Sequence, residues 1–136
     1  MVRTQLTQTL TKAVFIAPSL GLAVARLLTP DPSGMGTHQQ LGLPPCSMRV
    51  LFGIPCPSCG MTTSWALFSR GEFAASFSVN PSGFLLACLT LIGLLIGITA
   101  IARKKPVSKP QFQSTVLTTL AIFVFALTHW LWKLIS

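Results

Sequence analysis

The chain has 136 residues, of which 51% are hydrophobic and only 9% charged, and its mean hydropathy is +0.67. Soluble domains carry about 25% charged residues, so this composition excludes an ordinary soluble domain and implies one membrane domain spanning residues 1–136. Two acids, Asp31 and Glu72, stand against ten Lys and Arg, giving a net charge of +8. The basic residues sit at the ends of apolar runs and form no stripe with interleaved aromatics, so they read as topology signals and exclude a nucleic-acid partner.

The first apolar run covers about residues 10–28 and contains Pro18. Proline is tolerated inside a membrane helix, where neighbouring groups re-satisfy the freed carbonyl, so the run predicts a first spanning helix. Arg3 and Lys12 before it also fit the n-region of a signal peptide, but the run ends Val24-Ala25-Arg26-Leu27-Leu28 with no A-x-A-like site. A retained helix is therefore expected. Thr29 to Pro45 is rich in Pro, Gly and polar residues and reads as loop.

From Cys46 the chain turns apolar again. After Gly60 a short helix is expected to about Phe68, too short to cross a bilayer, with Met61, Trp65 and Phe68 as its apolar face. Gly71 would end it and Asn80-Pro81 would turn into the next element. Such a helix lies in the interface or dips in as a re-entrant hairpin. Gly83 to Ala102 carries no charge and is long enough to span, since a helix needs about 20 apolar residues to cross the hydrocarbon core. A basic loop at about 103–110 follows, with Arg103, Lys104, Lys105 and Lys109. The third span is predicted at 115–135, with Trp130, Trp132 and Lys133 as an interfacial anchor. The Lys/Arg bias puts the 103–110 loop and the N-terminus in the cytoplasm, and residues 29–82 and the C-terminus outside. Arg26, Arg49 and Arg70 dissent from that orientation.

Chemistry concentrates in Cys56-Pro57-Ser58-Cys59-Gly60. Pro57 has a fixed φ suited to a first helical turn, whose free N–H groups stabilise a thiolate at the first cysteine of a C-x-x-C pair. The same turn, with Gly60 giving room for N–H···S bonds, suits a zinc knuckle. Such a zinc site would draw on Cys46, Cys56, Cys59 and His38. As redox residues, Cys56 and Cys59 form the pair and Cys46 the resolving thiol. Outside the cytoplasm the pair also fits a structural disulfide. The residues alone leave these three readings open.

Cys88, within the second span, reads as a small apolar packer. His129, beside Trp130 in the third span, reads as a hydrogen-bonded or water-facing histidine near the interface. Arg49 and Arg70 flank the cysteine element, where lipid headgroup contact is the plainer account, and Glu72 is placed to pair with Arg70. Paired carboxylates, Ser-His-Asp constellations and phosphate-binding glycine loops are missing, which argues against hydrolase or kinase chemistry.

The series Cys46-x-x-Arg49, Gly53-Ile54-Pro55-Cys56-Pro57-Ser58-Cys59-Gly60-Met61-Thr62, Gly71-Glu72-Phe73 and Asn80-Pro81 resembles a family of small bacterial membrane proteins known only as a domain of unknown function. The resemblance covers about Cys46 to Ala102, and the closing Trp-x-Trp-Lys also looks similar. The family's hallmark is C-P-x-C-G-x-T-R, and Thr63 stands here where it has Arg. The resemblance implies a bacterial inner membrane and supports the fold and the site without supplying a reaction.

The expected architecture is thus an all-α membrane protein with three transmembrane helices and one short interfacial or re-entrant helix. The expected function is thiol redox or metal binding at an extracytoplasmic C-P-x-C site. The rival is a non-catalytic accessory or assembly subunit of a larger membrane complex, or a homo-oligomer, packing through the small residues Gly93, Gly97 and Ala100. In that rival the cysteines are a disulfide or zinc staple.

Overall fold

The computed structural model describes residues 2–135, with the side chains of 2–8, 10 and 12 left aside; Arg3 and Lys12 thus lie outside the described side chains. Every regular element is helical. The order is α1 (Val2–Leu27), a 3₁₀ turn (Thr37–Leu41), α2 (Ser47–Phe52), α3 (Met61–Ser69), α4 (Phe73–Val79), α5 (Pro81–Ala102) and α6 (Lys109–Ile135). Two of these, α5 with 22 residues and α6 with 27, are long and apolar enough to cross a membrane. In α1 the apolar part is shorter, Ala13–Leu27.

α1 and α5 pack antiparallel along a seam of large against small. Phe15, Leu22 and Ala25 are the buried stripe of α1, continued by Leu28 just past its end, and Ala87, Gly93, Gly97 and Ala100 lie buried along α5. The fit is close. A Cβ on Gly93 would lie 3.4 Å from the Phe15 carbonyl oxygen, and one on Gly97 would lie 2.8 Å from Ile16 Cγ1. In a bilayer there is no hydrophobic drive between helices, so association rests on such backbone approach and the dispersion it gains. Gly93 and Gly97, two of the small residues that suit packing on an outside partner, lie against the chain's own α1.

Exposed large side chains cover the rest, among them Ile92, Leu95 and Ile98 on α5 and Leu117, Phe123 and Val124 on α6. On α6 only Ile122 is buried among the described residues, so most of its apolar side chains face outward. α6 starts at Lys109 rather than at Thr115. Ser108 and Gln111 form a reciprocal capping box: the Ser108 N–H donates to Gln111 Oε1 at 3.1 Å, and the Gln111 N–H lies 3.4 Å from Ser108 Oγ. At the other side of the same loop α5 stops in a Schellman turn. The Lys105 N–H bonds the Ala100 carbonyl at 3.1 Å, with Lys104 left-handed at φ 51. The basic loop is accordingly shorter than expected.

The segment between α1 and α5 is folded rather than slack. α3 forms the expected short helix from Met61 to Ser69, and Gly71 turns the chain at φ 84. α4 then returns against α3 as a hairpin, and Phe68, Phe73, Phe77 and Phe84 pack edge to face at 5.2 to 6.4 Å where α3, α4 and α5 meet. The buried face of α3 differs from expectation: Met61 and Trp65 are half-buried, and the polar Thr63 and Ser64 are 1% and 0% exposed. Short hydroxyl side chains let the helices approach, and each finds a partner. Ser64 Oγ lies 2.9 Å from Ser76 Oγ, and Ser76 Oγ donates back to the Ser64 carbonyl at 2.7 Å. Trp65 Nε1 donates to the Gly83 carbonyl at 2.9 Å. Arg70 donates to the Leu28 carbonyl at 2.9 Å instead of pairing with Glu72. Cys88 packs against the Leu22, Phe68 and Ala87 cluster.

The α1–α5 seam makes a direct prediction. Gly97→Leu overfills it and costs about 1–3 kcal/mol, whereas Ile98→Leu at a 50% exposed position leaves stability unchanged. Thermal unfolding of the detergent-solubilised chain measures both; equal midpoints for the two variants would contradict the packing.

Candidate functional site

Three sulfurs come together at the end of the bundle away from the basic loop. The Sγ atoms of Cys46, Cys56 and Cys59 all lie within 4.8 Å of one another, and each residue is half-buried. Cys56 and Cys59 are reduced thiols with their sulfurs 3.5 Å apart. A tetrahedral zinc ion with Zn–S bonds of about 2.3 Å sets its sulfurs about 3.8 Å apart, so the cluster needs only small side-chain shifts to close on a metal.

Backbone constraints from several directions create this convergence. Cys56 to Gly60 form a turn closed by Cys59 N–H to Cys56 O at 3.0 Å and Met61 N–H to Ser58 O at 3.1 Å. The helix begins only at Met61, with Gly60 as its N-cap at φ 83. The two cysteines therefore precede the helix, which starts after Gly60 as expected, and Pro57 lies in this turn rather than in a first helical turn. Gly60 is needed on two counts. Its φ is left-handed, and a Cβ there would lie 2.8 Å from the Gly34 carbonyl oxygen and 3.0 Å from Val79 Cγ1.

The Gly34 carbonyl belongs to the loop 29–45, which forms a lid held by its own polar side chains. Gln40 bridges both backbone groups of Thr29, donating to its carbonyl at 2.6 Å and accepting from its N–H at 3.0 Å. Asp31 accepts from the Ser33 hydroxyl at 2.6 Å and the Ser33 N–H at 2.8 Å, which hold its carboxyl below the usual carboxylate range. Thr37, fully buried, accepts from the Asp31 N–H at 3.0 Å and meets Thr63 Oγ1 at 2.7 Å. Thr63 thus ties the lid to α3. An arginine in its place has no room there, since Thr63 is 1% exposed.

Cys46 sits at the start of α2, a helix that sequence reading missed. As a thiol it makes no capping hydrogen bond. The Arg49 N–H three residues on is nonetheless the chief influence on it and lowers the thiol to about 7 from its ordinary 9.0; the neighbouring thiols add to this. Burial dominates at Cys59 and raises its thiol to about 12. The thiol primed to ionise is thus Cys46, where the motif alone pointed to the C-P-x-C pair.

His38 lines the same cavity as the three cysteines but stands outside the sulfur cluster; its Nε2 lies 3.2 Å from the Pro44 carbonyl oxygen. Arg49 also lines that cavity, which has a volume of about 630 Å³. A second cleft of about 300 Å³ on the other side of the pair is lined by Cys56, Cys59, His129, Trp130 and Lys133. Trp130 does more than anchor at an interface: its Nε1 donates to the Pro55 carbonyl at 2.6 Å, beside Cys56. His129 stacks on Phe125 with ring centroids 5.8 Å apart.

A family model described as "Protein of unknown function (DUF2752)" matches residues 46–94, from Cys46 into α5. That stretch holds all three cysteines and the α3–α4 hairpin; the closing Trp-x-Trp-Lys lies outside it. No curated protein matches the chain, and no solved structure does.

The opposed shifts at Cys46 and Cys59 make a testable pair. In metal-free, reduced protein, alkylation of Cys46 rises as pH passes about 7, because the thiolate forms there, while Cys59 stays protonated and slow until about 12. Site-resolved mass spectrometry after brief iodoacetamide treatment at neutral pH reads this; Cys59 labelled ahead of Cys46 would contradict it.

Proposed function

We propose that this chain is a three-span protein of a bacterial inner membrane that binds a thiophilic metal ion, zinc being the simplest occupant, through Cys46, Cys56 and Cys59. The single observation behind this reading is the convergence of three sulfurs from two separate segments within 4.8 Å. A redox pair or a staple disulfide needs two cysteines. A third sulfur within 4.8 Å of both members of the pair is what a metal coordination sphere requires. Binding would take the proton from Cys59 and turn the cost of its burial into metal–sulfur bonding. The cavity beside the three cysteines is also lined by His38, so water, His38 or a substrate group would have access to a metal held there.

α1 is the third span in this reading. Its continuous helix and its seam with α5 support that role, although its apolar part alone is shorter than the two long helices. α1 and α6 run toward the cysteines and α5 away from them, so Arg103, Lys104, Lys105 and Lys109 share one end with the start of α1. The positive-inside rule then puts that end in the cytoplasm and the cysteines and C-terminus outside.

Thiol exchange is the second reading. A Cys46 thiol lowered to about 7 beside a Cys56–Cys59 pair 3.5 Å apart favours it. An accessory subunit in a larger complex or homo-oligomer is the third. It now rests on the apolar exposed faces of α5 and α6, since Gly93 and Gly97 already lie against α1.

Metal analysis separates these readings. Reduced, full-length protein purified in detergent should hold roughly one zinc per chain, and Cys46→Ser or Cys59→Ser should reduce that severalfold. His38→Ala should leave the content unchanged. A Cys56–Cys59 disulfide that, once reduced, still takes up no zinc would leave thiol exchange or the staple as the better reading.

A further inference from the structure

Two methionines also line the 630 Å³ cavity, Met35 from the lid loop and Met61 from the first turn of α3. Both are half-buried, and together they are two of only four methionines in the chain. Each has a fixed backbone. Met35 lies between Gly34 and Gly36, both left-handed at φ 75 and 103, and its carbonyl accepts from Ser33 Oγ at 2.9 Å. Met61 opens α3, with its N–H bound to the Ser58 carbonyl. The lid that carries Met35 is pinned to α3 by the buried Thr37–Thr63 bond. The two methionines and the three cysteines thus line one cavity, and separate contacts hold its walls.

A thioether is a soft, uncharged donor. Zinc(II) is satisfied by thiolate, imidazole, carboxylate or water and gains little from it, whereas copper(I) is selected by cysteine and methionine sulfur together. We infer that this site takes monovalent copper, with a thioether of Met35 or Met61 as the fourth donor beside the Cys46, Cys56 and Cys59 sulfurs. The inference rests on the metal-binding reading above and narrows it. Charge agrees with it. Copper(I) held by three thiolates carries more negative charge than zinc(II) in the same sphere, and Arg49 in the cavity wall offsets it. Imidazole suits both metals, so His38 does not discriminate between them.

Three thiolates alone bind copper(I) tightly, so affinity for copper is not itself the test; the contribution of the methionines is. The full-length, reduced protein in detergent is loaded anaerobically with copper(I) and competed with a chromophoric copper(I) chelator, and in parallel loaded with zinc(II) against a zinc chelator. Met35→Leu/Met61→Leu conserves volume and apolarity, and its zinc affinity doubles as the control for an intact site. The expected result is a loss of about tenfold or more in copper(I) affinity with zinc affinity unchanged. If both affinities are unchanged, or both fall together, the methionines are packing residues and the copper assignment is overturned while the metal site stands. If the unsubstituted chain binds neither metal, the metal-binding reading falls and this inference with it.

Discussion

Asn80 joins three parts of this molecule that would otherwise drift apart. Its Oδ1 accepts from the Gly83 N–H at 2.8 Å and caps α5, its Nδ2 donates to the Cys59 carbonyl at 2.9 Å, and its own carbonyl accepts from Ser64 Oγ at 3.2 Å. The residue is 6% exposed, so each bond forms away from competing water. The start of a membrane helix, the cysteine turn and the α3–α4 hairpin thereby share one anchor. Pro81 at the first helical position needs no N–H partner and sets the helix direction from that anchor.

From this junction the logic of the fold runs in two directions. Toward the basic loop the helices hold each other by close backbone approach, and their large side chains are left for lipid. Toward the cysteines the polar groups increase, and they satisfy one another. No buried side-chain nitrogen or oxygen lacks a partner among the described residues. The α3–α4 hairpin packs against α5, and α3 also against α1, so the cysteine turn that precedes it is held by side-chain to backbone bonds such as Asn80 to Cys59.

The legibility of these features in the sequence followed from how local their causes are. Transfer into hydrocarbon is a property of each run by itself, so α5 and α6 could be read from apolar length, and Asn80-Pro81 could be read as the turn between elements. The start of α6 was missed although Ser108-x-x-Gln111 carries a capping-box signal, because hydropathy dominated the reading. α2 and α4, with 6 and 7 residues, are too short to show a period. α4 packs against α3 and α5, whereas α2 buries none of its residues. Cys46 could be listed beside the pair only as a nearby cysteine; the contacts that bring the lid loop onto the cysteine turn and α3, the Gly34–Gly60 approach and the Thr37–Thr63 bond, join separate segments. The same holds for Trp130, which read as a lipid anchor and proved to bond the cysteine loop. Thr63, which stood out only as a departure from a motif, is a joint between the lid and α3.

The account stands on three sulfurs acting as one ligand set, and X-ray absorption at the zinc edge of the zinc-loaded, full-length protein tests that most directly. It should show three sulfur neighbours at about 2.3 Å with a single lighter atom completing the shell. A shell of two sulfurs or fewer, filled out by nitrogen and oxygen, would mean that Cys46 does not join the pair and would contradict the site as described.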